Sequence, residues 1–432
     1  MPAPLTSADV YSIRSQFPYF ANLPLVDGTP VAYLDSAATS QRPARVLDAE
    51  RGFLERDYAA VHRGTSQAVG TATQRFEDAR QTVATFVGAA HPEQIVWAAG
   101  ATDALNIIAL GIGEANAGLG VTGSERYRLE PGDEILVTEA EHHANLIPWQ
   151  RLAAKTGATL TYIPVNEHGT WSLDDAREAI TSRTKIFAFA HVSNVTGFEA
   201  PVAELVSLAR AVGALTVLDA CQSVPHIPVN LDELGVDFAV FSSHKALGPN
   251  ALGVLYGRAE ALAALPPSRT GGSAITRVTM SEAEFMPPPL RFEPGTQPVS
   301  QAVGLADALN FMTEIGMQRA ASREHDLVAQ LVEGVLSTPG LRLLGPQGTT
   351  DRVALTAVAV DGVHAHDVGQ FLDQQGVLVR VGHHCAQPLH RAIGMASSTR
   401  ASVHVTTTED EVERFLDGLR GAQRYFNAEV HS

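Results

Sequence analysis

From about residue 31 to residue 241, short apolar runs alternate with longer stretches in which apolar positions recur every three or four residues. The short runs have the length and the β-branched content of buried strands. They predict strands at 94–98, 134–138, 159–164, 185–191, 215–219 and 238–242. The stretches between them predict helices such as 74–86, 102–112 and 203–212. This alternation predicts an α/β fold with a mainly parallel sheet and helices on both faces.

The pattern changes after about residue 266. The stretch 266–298 is rich in proline, glycine and serine, and we interpret it as a long functional loop region, because long loops in compact domains usually carry function. One long helix is predicted at about 300–333, and the remaining residues alternate strand and helix again. We therefore expect a large domain at 31–298 and a smaller α+β domain formed by 1–30 and 299–432.

Composition narrows the classes of partner and compartment. The 432 residues carry a formal net charge of −16, so a nucleic-acid backbone would be repelled and is not expected as a partner. Two cysteines argue against a disulfide scaffold and fit a reducing compartment. No signal-peptide pattern opens the chain, and no apolar run approaches the roughly 20 residues of a spanning helix. We expect a cytoplasmic protein that does not bind membranes.

The strongest local signal is a lysine that follows a buried strand. In the segment VDFAVFSSHKALGP, a predicted strand runs directly into Ser242, Ser243, His244 and Lys245. A carbonyl cofactor needs an amine that is held near strand ends and partly desolvated, so that it is nucleophilic. Lys245 is therefore a candidate for a Schiff base, and a surface lysine in a turn is the alternative.

Two other predicted strands end in groups that suit a phosphorylated ring. Gly100 and Ala101 open a predicted helix, whose free backbone N–H groups can bind a phosphate. A plain N-cap by Thr102 or Asp103 is the alternative. Asp219 ends another strand, where a buried carboxylate needs a cationic partner such as a protonated pyridine nitrogen. The alternative is an aspartate that caps the next turn.

Two histidine-containing segments supply candidate acid–base and nucleophilic groups. In Glu141-His142-His143, an imidazole could stack on a planar ring or transfer a proton, and a structural histidine is the alternative. Cys385 lies in RVGHHCAQPL, whose arginine and histidines favour its thiolate. A metal site is the alternative there, but consecutive side chains point in different directions and no zinc spacing completes it. No metal is expected, and Cys221 is interpreted as a small core residue.

Taken in order, nine segments of the chain resemble one known family. They are YLDSAATSQRP (33–43), YAAVHRG (58–64), EHHANLIPWQ (141–150), SNVTG (193–197), LDACQSVPH (218–226), SHKALGP (243–249), TGGSAI (270–275), RFEPGTQP (291–298) and RVGHHCAQPL (380–389). Together they resemble the SUF-type (group II) cysteine desulfurases, class V aminotransferases of the pyridoxal-phosphate fold type I. The last segment is the most specific, because it matches the segment with the family's sulfur-accepting cysteine.

The resemblance implies pyridoxal 5'-phosphate as cofactor, L-cysteine as substrate and a homodimer. Lys245 would hold the cofactor covalently, and Cys385 would accept sulfur as a persulfide. The other cofactor contacts that it implies are Asp219 at the pyridine nitrogen, Gln222 at the phenolic oxygen, His142 stacked on the ring, Ala101, Thr102, Ser242 and His244 at the phosphate, and Thr296 and the Gly271-Gly272 loop from the other subunit. The substrate contacts that it implies are Asn194, Arg380 and Arg400, with His62 and Arg63 at the entrance.

The expected reaction converts L-cysteine to L-alanine and passes the sulfur to an acceptor protein of iron–sulfur cluster assembly, with selenocysteine as a possible second substrate. The chain departs from the family's usual residues at Ser243, Ala251 and 406–408, and none of these changes removes a catalytic group. Another class V enzyme, such as an aminotransferase or a kynureninase-like hydrolase, is the nearest alternative. A non-catalytic assembly partner with this fold is the other, although it would have no use for Lys245 and Cys385 together.

Overall fold

The structure is a computed structural model that describes residues 3–430. Its strands are β1 (Leu25–Val26), β2 (Thr29–Pro30), β3 (Ala32–Tyr33), β4 (Ile95–Ala98), β5 (Glu134–Thr138), β6 (Thr159–Ile163), β7 (Thr184–Ala190), β8 (Leu215–Asp219), β9 (Phe238–Ser242), β10 (Gly253–Gly257), β11 (Ile275–Val278), β12 (Ala283–Phe285), β13 (Leu341–Leu344), β14 (Leu355–Val360), β15 (Val377–Leu378), β16 (Arg380–Gly382) and β17 (Ser398–Ser402). Its helices are α1 (Ser7–Arg14), α2 (Pro18–Ala21), α3 (Ala44–Arg56), α4 (Gln67–Phe86), α5 (Ala101–Asn116), α6 (Ile147–Thr156), α7 (Leu173–Ala179), α8 (Val202–Ala211), α9 (Leu231–Leu234), α10 (Ala259–Ala264), α11 (Val299–Ile315), α12 (Met317–Leu336), α13 (Ala365–Gln374), α14 (Gln387–Ala392) and α15 (Glu409–Val430).

A seven-stranded sheet forms the centre of the molecule, in the order β4-β10-β9-β8-β7-β5-β6. Strand β10 is antiparallel to both of its neighbours, and the other pairings in this sheet are parallel. The interior strands are buried along most of their length, because helices cover both faces of the sheet. The predicted α/β fold is confirmed, and the six predicted strands are all present within a residue or two.

Side chains alternate across this sheet and form two separate hydrophobic clusters. Phe187 and Phe189 of β7 point to one cluster, which includes Phe53 of α3 and Phe76 of α4. The intervening Ala188 points to the other cluster, in which α5 and α6 participate. The two-residue period of a strand therefore places each helix layer against its own half of the core.

A four-stranded antiparallel sheet, in the order β13-β14-β17-β16, lies towards the C-terminal end of the chain. Helices α12, α13 and α15 pack against it and share its hydrophobic cluster. The N-terminal segment joins this region, since β3 pairs in parallel with β15. No helix within residues 3–430 is both long and apolar enough to span a membrane.

Two predictions of local structure are wrong. The long helix expected at 300–333 is two helices, α11 and α12, because Gly316 between them adopts a φ of +91°, which a helix cannot accommodate. The region 266–298 is not loop throughout: β11 and β12 form a two-stranded hairpin within it. Because few side chains of this hairpin are buried, its sequence has no apolar alternation from which strands could be predicted.

Candidate active site

The carboxyl ends of the parallel strands open into one cavity of about 320 Å³. This edge is where open α/β sheets bind their ligands. The predicted site residues that line the cavity are Ala101, Thr102, His142, Asn194, Asp219, Gln222, Ser242, His244, Lys245, Arg380, Cys385 and Arg400. The structure therefore brings residues from widely separated segments together around one cavity, and the roles predicted for them stay predictions.

Lys245 lies three residues beyond the end of β9, at the end of a short 3-10 turn. Its side chain is half-buried and lines the cavity, so it is not the exposed turn lysine of the alternative interpretation. The turn is held by the segment 35–40, in which the Ser40 backbone N–H donates to the carbonyl of His244 at 2.9 Å. Among the described residues, no carboxylate forms an ion pair with Lys245.

Asp219 ends β8 and is almost fully buried. One carboxylate oxygen, Oδ1, accepts a hydrogen bond from the Cys221 backbone N–H at 3.0 Å, so the residue also caps the next turn. The neighbouring Gln222 donates from Nε2 to the carbonyl of Ala37 at 2.9 Å. Its Oε1 is buried and has no partner among the described residues. Gln222 also lines the cavity, so a ligand bound there is a candidate partner for this buried acceptor.

The start of α5 forms an anion cradle beside β9. The Ser242 hydroxyl accepts a hydrogen bond from the Ala101 backbone N–H at 2.9 Å, and no side chain caps the helix at Gly100. Thr102 is exposed and is not the N-cap of the alternative interpretation. Gly253 on β10 approaches so closely that a Cβ there would lie 2.4 Å from the Gly100 backbone. The cradle therefore requires glycine at 253.

Two histidines near the cradle are neutral at physiological pH. His142 accepts a hydrogen bond at Nδ1 from the Ala144 backbone N–H, so its proton lies on Nε2. Burial lowers the pKa of His142 to about 4, although the negative charge of Asp219 opposes this shift. Burial and the charge of Lys245 lower the pKa of His244 to about 4, and its Nδ1 lies 3.1 Å from the hydroxyl of Thr39.

Cys385 is exposed on a loop between β16 and α14. His384 and Cys385 both adopt left-handed backbone conformations, with φ of +50° and +56°. The loop is tied to the sheet, because the carbonyl of Cys385 accepts from the His143 backbone N–H at 2.7 Å and that of His384 accepts from Asn194 Nδ2 at 2.7 Å. These two hydrogen bonds hold Cys385 at the cavity that Lys245 also lines.

Arg380, His383 and His384 were predicted to favour the thiolate of Cys385, and for His384 this prediction is wrong. Burial lowers the pKa of His384 to about 2, so its imidazole is neutral. Arg380 and Arg400 line the same cavity as Cys385 and supply the positive charge there. Burial lowers the pKa of Arg400 to about 10, and the negative charge of Asp35 opposes that shift, so the guanidinium stays charged.

Two predicted substrate residues already have protein partners. Arg400 donates from Nη1 to the carbonyl of Asn194 at 2.8 Å, while its buried Nε has no partner among the described residues. Arg380 donates from Nη2 to Asp35 Oδ2 at 2.7 Å. No role for Asp35 was predicted from the sequence. Its only signal was its position in YLDSAATSQRP, directly after an apolar strand.

Five predicted site residues do not line this cavity within one chain. His62 hydrogen-bonds through Nε2 to Glu77 at 2.8 Å, and Arg63 is exposed. Gly271, Gly272 and Thr296 are also exposed. The predicted cofactor contacts of the last three, which involve a second subunit, therefore stay predictions.

Residues 32–415 match the protein family described as Aminotransferase class-V. The chain belongs to this family. This class-V enzyme is 50% identical over 425 residues to a protein named probable cysteine desulfurase 2 of Mycobacterium leprae. The alignment covers 98% of this chain and 99% of the relative. It is also 40% identical over 418 residues to a protein named probable cysteine desulfurase of Streptomyces coelicolor, in an alignment that covers 97% of this chain and 98% of the relative.

Solved structures give the same result for the fold of this class-V enzyme. The apo cysteine desulfurase of Thermococcus onnurineus superposes with a TM-score of 0.88 at 35% identity, covering 98% of this chain and all of the other. The cysteine desulfurase CsdA of Escherichia coli, in an S-sulfonic acid form, superposes with a TM-score of 0.83 at 33% identity, covering 96% and 98%. The predicted fold type I is confirmed, and the family's cofactor is pyridoxal 5'-phosphate.

The cavity of the class-V enzyme fits this cofactor. Lys245 offers an amine without an ion-pair partner among the described residues, and Asp219 offers a buried carboxylate for a protonated ring nitrogen. The orphaned Gln222 Oε1 can accept a hydrogen bond. The N-terminus of α5 provides the positive end of a helix dipole for the phosphate group.

Proposed function

We propose that this protein removes sulfur from L-cysteine, releases L-alanine and holds the sulfur as a persulfide on Cys385. Its relatives named cysteine desulfurase, matched over nearly the whole chain, support this class of reaction. The observation that carries the proposal is the position of Cys385, which lines the same cavity as Lys245 although it lies 140 positions further along the sequence (385 − 245). An aminotransferase or a hydrolase has no use for a thiol at that point.

When bound, pyridoxal 5'-phosphate supplies an electron sink for the electrons that a breaking Cα–H bond releases. The remaining chemistry belongs to the chain. The Lys245 amine would attach the cofactor and then move the Cα proton of the substrate. Asp219 would hold the proton on the ring nitrogen, and the neutral His142 would stack on the ring. The phosphate contacts that we propose are Ala101, Thr102, Ser242 and His244, with Gln222 at the phenolic oxygen and Thr296 and Gly272 of a second subunit.

Arg400 would anchor the substrate carboxylate through its unpartnered Nε, with Asn194 and Arg380 beside it. In this orientation the substrate thiol can meet the thiolate of Cys385. An S–S bond forms, the Cβ–S bond breaks, and the electron pair remains with the substrate carbon, which is then protonated. L-Cysteine and the Cys385 thiol thus give L-alanine and the Cys385 persulfide without an external oxidant.

The persulfide would next pass to a second protein. The exposure of Cys385 supports such a transfer, because an acceptor can approach the sulfur from solvent. We propose an acceptor of iron–sulfur cluster assembly and membership of the SUF-type group, on the strength of the RVGHHCAQPL segment. Selenocysteine is a reasonable second substrate, since selenium leaves carbon more readily than sulfur does.

The test compares Cys385→Ala with Cys221→Ala, because Cys221 is the only other cysteine and is buried. Cys385→Ala should keep the absorbance of the bound cofactor and still bind L-cysteine, yet lose sulfide and alanine release by a factor of at least about 100. Cys221→Ala should retain release. After brief exposure to L-cysteine, mass spectrometry should find one added sulfur on the peptide that contains Cys385. Added sulfur on the Cys221 peptide, or full activity of Cys385→Ala, would disprove the proposal.

A further inference from the structure

Asp35 lies between the two guanidinium groups at the substrate end of the cavity. Its Oδ2 accepts from Arg380 Nη2 at 2.7 Å, and its Oδ1 lies 3.4 Å from Arg380 Nε. The same Oδ1 lies 3.6 Å from Arg400 Nη2, beyond a good hydrogen bond. One carboxylate is therefore committed to Arg380 and only weakly engaged by Arg400.

The position of Asp35 is fixed by its chain neighbours. It follows β3 and forms a bridge with Ser402 at the end of β17. Two residues later, the Ala37 backbone N–H donates to the Ser402 hydroxyl at 2.9 Å. Thr39 then contacts His244 beside Lys245. Because both ends of this segment are anchored, Asp35 cannot easily swing away from the arginines.

The arrangement leaves the two arginines unequally satisfied. Arg380 is half exposed and has its charge balanced by Asp35. Arg400 is fully buried, and its Nε has no partner among the described residues. Two guanidinium groups and one carboxylate give a net charge of +1, which a single substrate carboxylate neutralises.

We propose that Asp35 is a specificity-determining residue that restricts this site to amino acids with one carboxylate. It does so by keeping Arg380 occupied, so that a second, side-chain carboxylate finds a negative charge where it needs a free cation. The inference rests on the proposed function, because it takes Arg400 as the anchor of the substrate carboxylate. L-Cysteine meets the requirement, and a dicarboxylic amino acid such as L-aspartate does not.

The experiment measures the dissociation constants of L-alanine and L-aspartate for the holoenzyme from the absorbance change of the bound cofactor. Asp35→Asn keeps the shape of the side chain but removes its charge, and should strengthen L-aspartate binding relative to L-alanine by about tenfold. Asp35→Glu should restore the wild-type ratio. If the Asp35→Asn protein does not accumulate as holoenzyme, Asp35→Ser takes its place in the experiment, because it removes the same negative charge. A purely structural role for Asp35 would weaken both ligands together.

A double variant identifies the cation responsible. If Arg380 recruits the second carboxylate, Asp35→Asn combined with Arg380→Gln should lose the gain in L-aspartate binding. An unchanged ligand ratio in the charge-removing variants, or a gain that persists without Arg380, would overturn the proposal. The variant Arg400→Gln tests the proposed function separately. It should weaken the binding of both L-alanine and L-aspartate, because Arg400 is proposed to anchor the carboxylate that both ligands share. Unchanged L-alanine binding in this variant would show that Arg400 is not that anchor.

Discussion

Glu324 is a fully buried carboxyl group in a cluster with two histidines. Its Oε2 lies 2.7 Å from His226 Nδ1, and its Oε1 lies 3.9 Å from His404 Nδ1. Burial raises the pKa of Glu324 to about 8 and lowers the pKa values of His226 and His404 to about 3 and about 4. At neutral pH the three groups therefore carry no charge. The carboxyl group of Glu324 keeps its proton and donates it in the hydrogen bond to His226 Nδ1.

This cluster should make stability depend on pH. The folded-state pKa of Glu324 lies above the ordinary value of 4.5, so the folded protein holds this proton more tightly than the unfolded chain does. The stabilisation that the protonated Glu324 gives to the folded state is fully present below about pH 4.5 and is lost as the pH rises through about 8. Glu324→Gln cannot ionise and can still donate to His226. Between pH 5 and pH 8.5, the melting temperature of the Gln variant should rise relative to wild type by a few °C, since a chain of this length shifts by about 1 °C per kcal/mol.

Thermal denaturation of the two holoenzymes across this range gives the measurement. Glu333→Gln is the matched control, because Glu333 lies on the same helix but is exposed. If the difference in melting temperature between Glu324→Gln and wild type stayed constant with pH, Glu324 would not be neutral at the lower pH values, and the assignment would be contradicted.

At the level of single residues, most of the cavity lining was predictable and Asp35 was not. Asp219 ends a strand, Lys245 and His142 lie a few residues beyond one, and the carboxyl ends of parallel strands meet at one edge. Asp35 acquires its meaning from Arg380, which lies 345 residues away in the sequence. Burial decides the protonation of His384, and the segment RVGHHCAQPL gives no indication of it.

At the level of elements, the Cys385 loop depends on a hydroxyl from β17. Ser398 Oγ lies 3.0 Å from His384 Nε2 and 2.9 Å from His390 Nε2, and all three side chains are buried. Ser398→Ala would leave both imidazole nitrogens unsatisfied, at a cost of about 1–3 kcal/mol each. Because the loop holds the thiol in position, we expect persulfide formation to slow by about tenfold while cofactor affinity stays unchanged.

Single-turnover persulfide formation and cofactor titration on the same Ser398→Ala preparation give the two measurements. Equal rates in the variant and wild type would mean that the loop keeps its position without this hydroxyl. A parallel loss of cofactor affinity would point to a wider structural defect.

The boundaries of secondary-structure elements could be predicted where buried side chains leave a clear apolar pattern in the sequence. They could not be predicted where side chains are exposed or where one residue breaks a helix. Strands β5, β8 and β9 match their predicted bounds, because a strand buried on both faces is a continuous apolar run. The apolar pattern continues across Gly316, so it gave no sign that a single left-handed residue separates α11 from α12. In the hairpin of β11 and β12, most side chains face solvent and leave no pattern to detect.

At the scale of the whole molecule, the exposure of Gly272 and Thr296 supports our proposal of a homodimer with shared sites. The proposed two-domain division, 31–298 against 1–30 and 299–432, remains a prediction. Helix α11 packs on α3 and α4. This packing favours a boundary after Gly316 rather than at residue 298.

Shared sites can be tested by complementation between two inactive subunits. Lys245→Ala lacks the amine, and Thr296→Trp should block the site that Thr296 enters. If Thr296 serves the partner's site, a heterodimer of the two variants contains one intact site, and co-expressed, doubly tagged protein should recover up to about half of the wild-type activity per dimer. Recovery at background level in verified heterodimers would mean that Thr296 does not cross between subunits. An active monomer in sedimentation would exclude shared sites altogether.

The pairing of β3 with β15 has a consequence for the order in which the enzyme matures. Ala37 lines the cavity, yet the segment 32–37 that holds it in place has its partners at 377–378 and at Ser402. The ribosome makes this segment almost first and its partners almost last, while domains generally begin to fold from the N-terminal end during synthesis. The strands of the seven-stranded sheet are therefore all made before residues 32–37 can take up their final pairing, so this wall of the cavity is completed last.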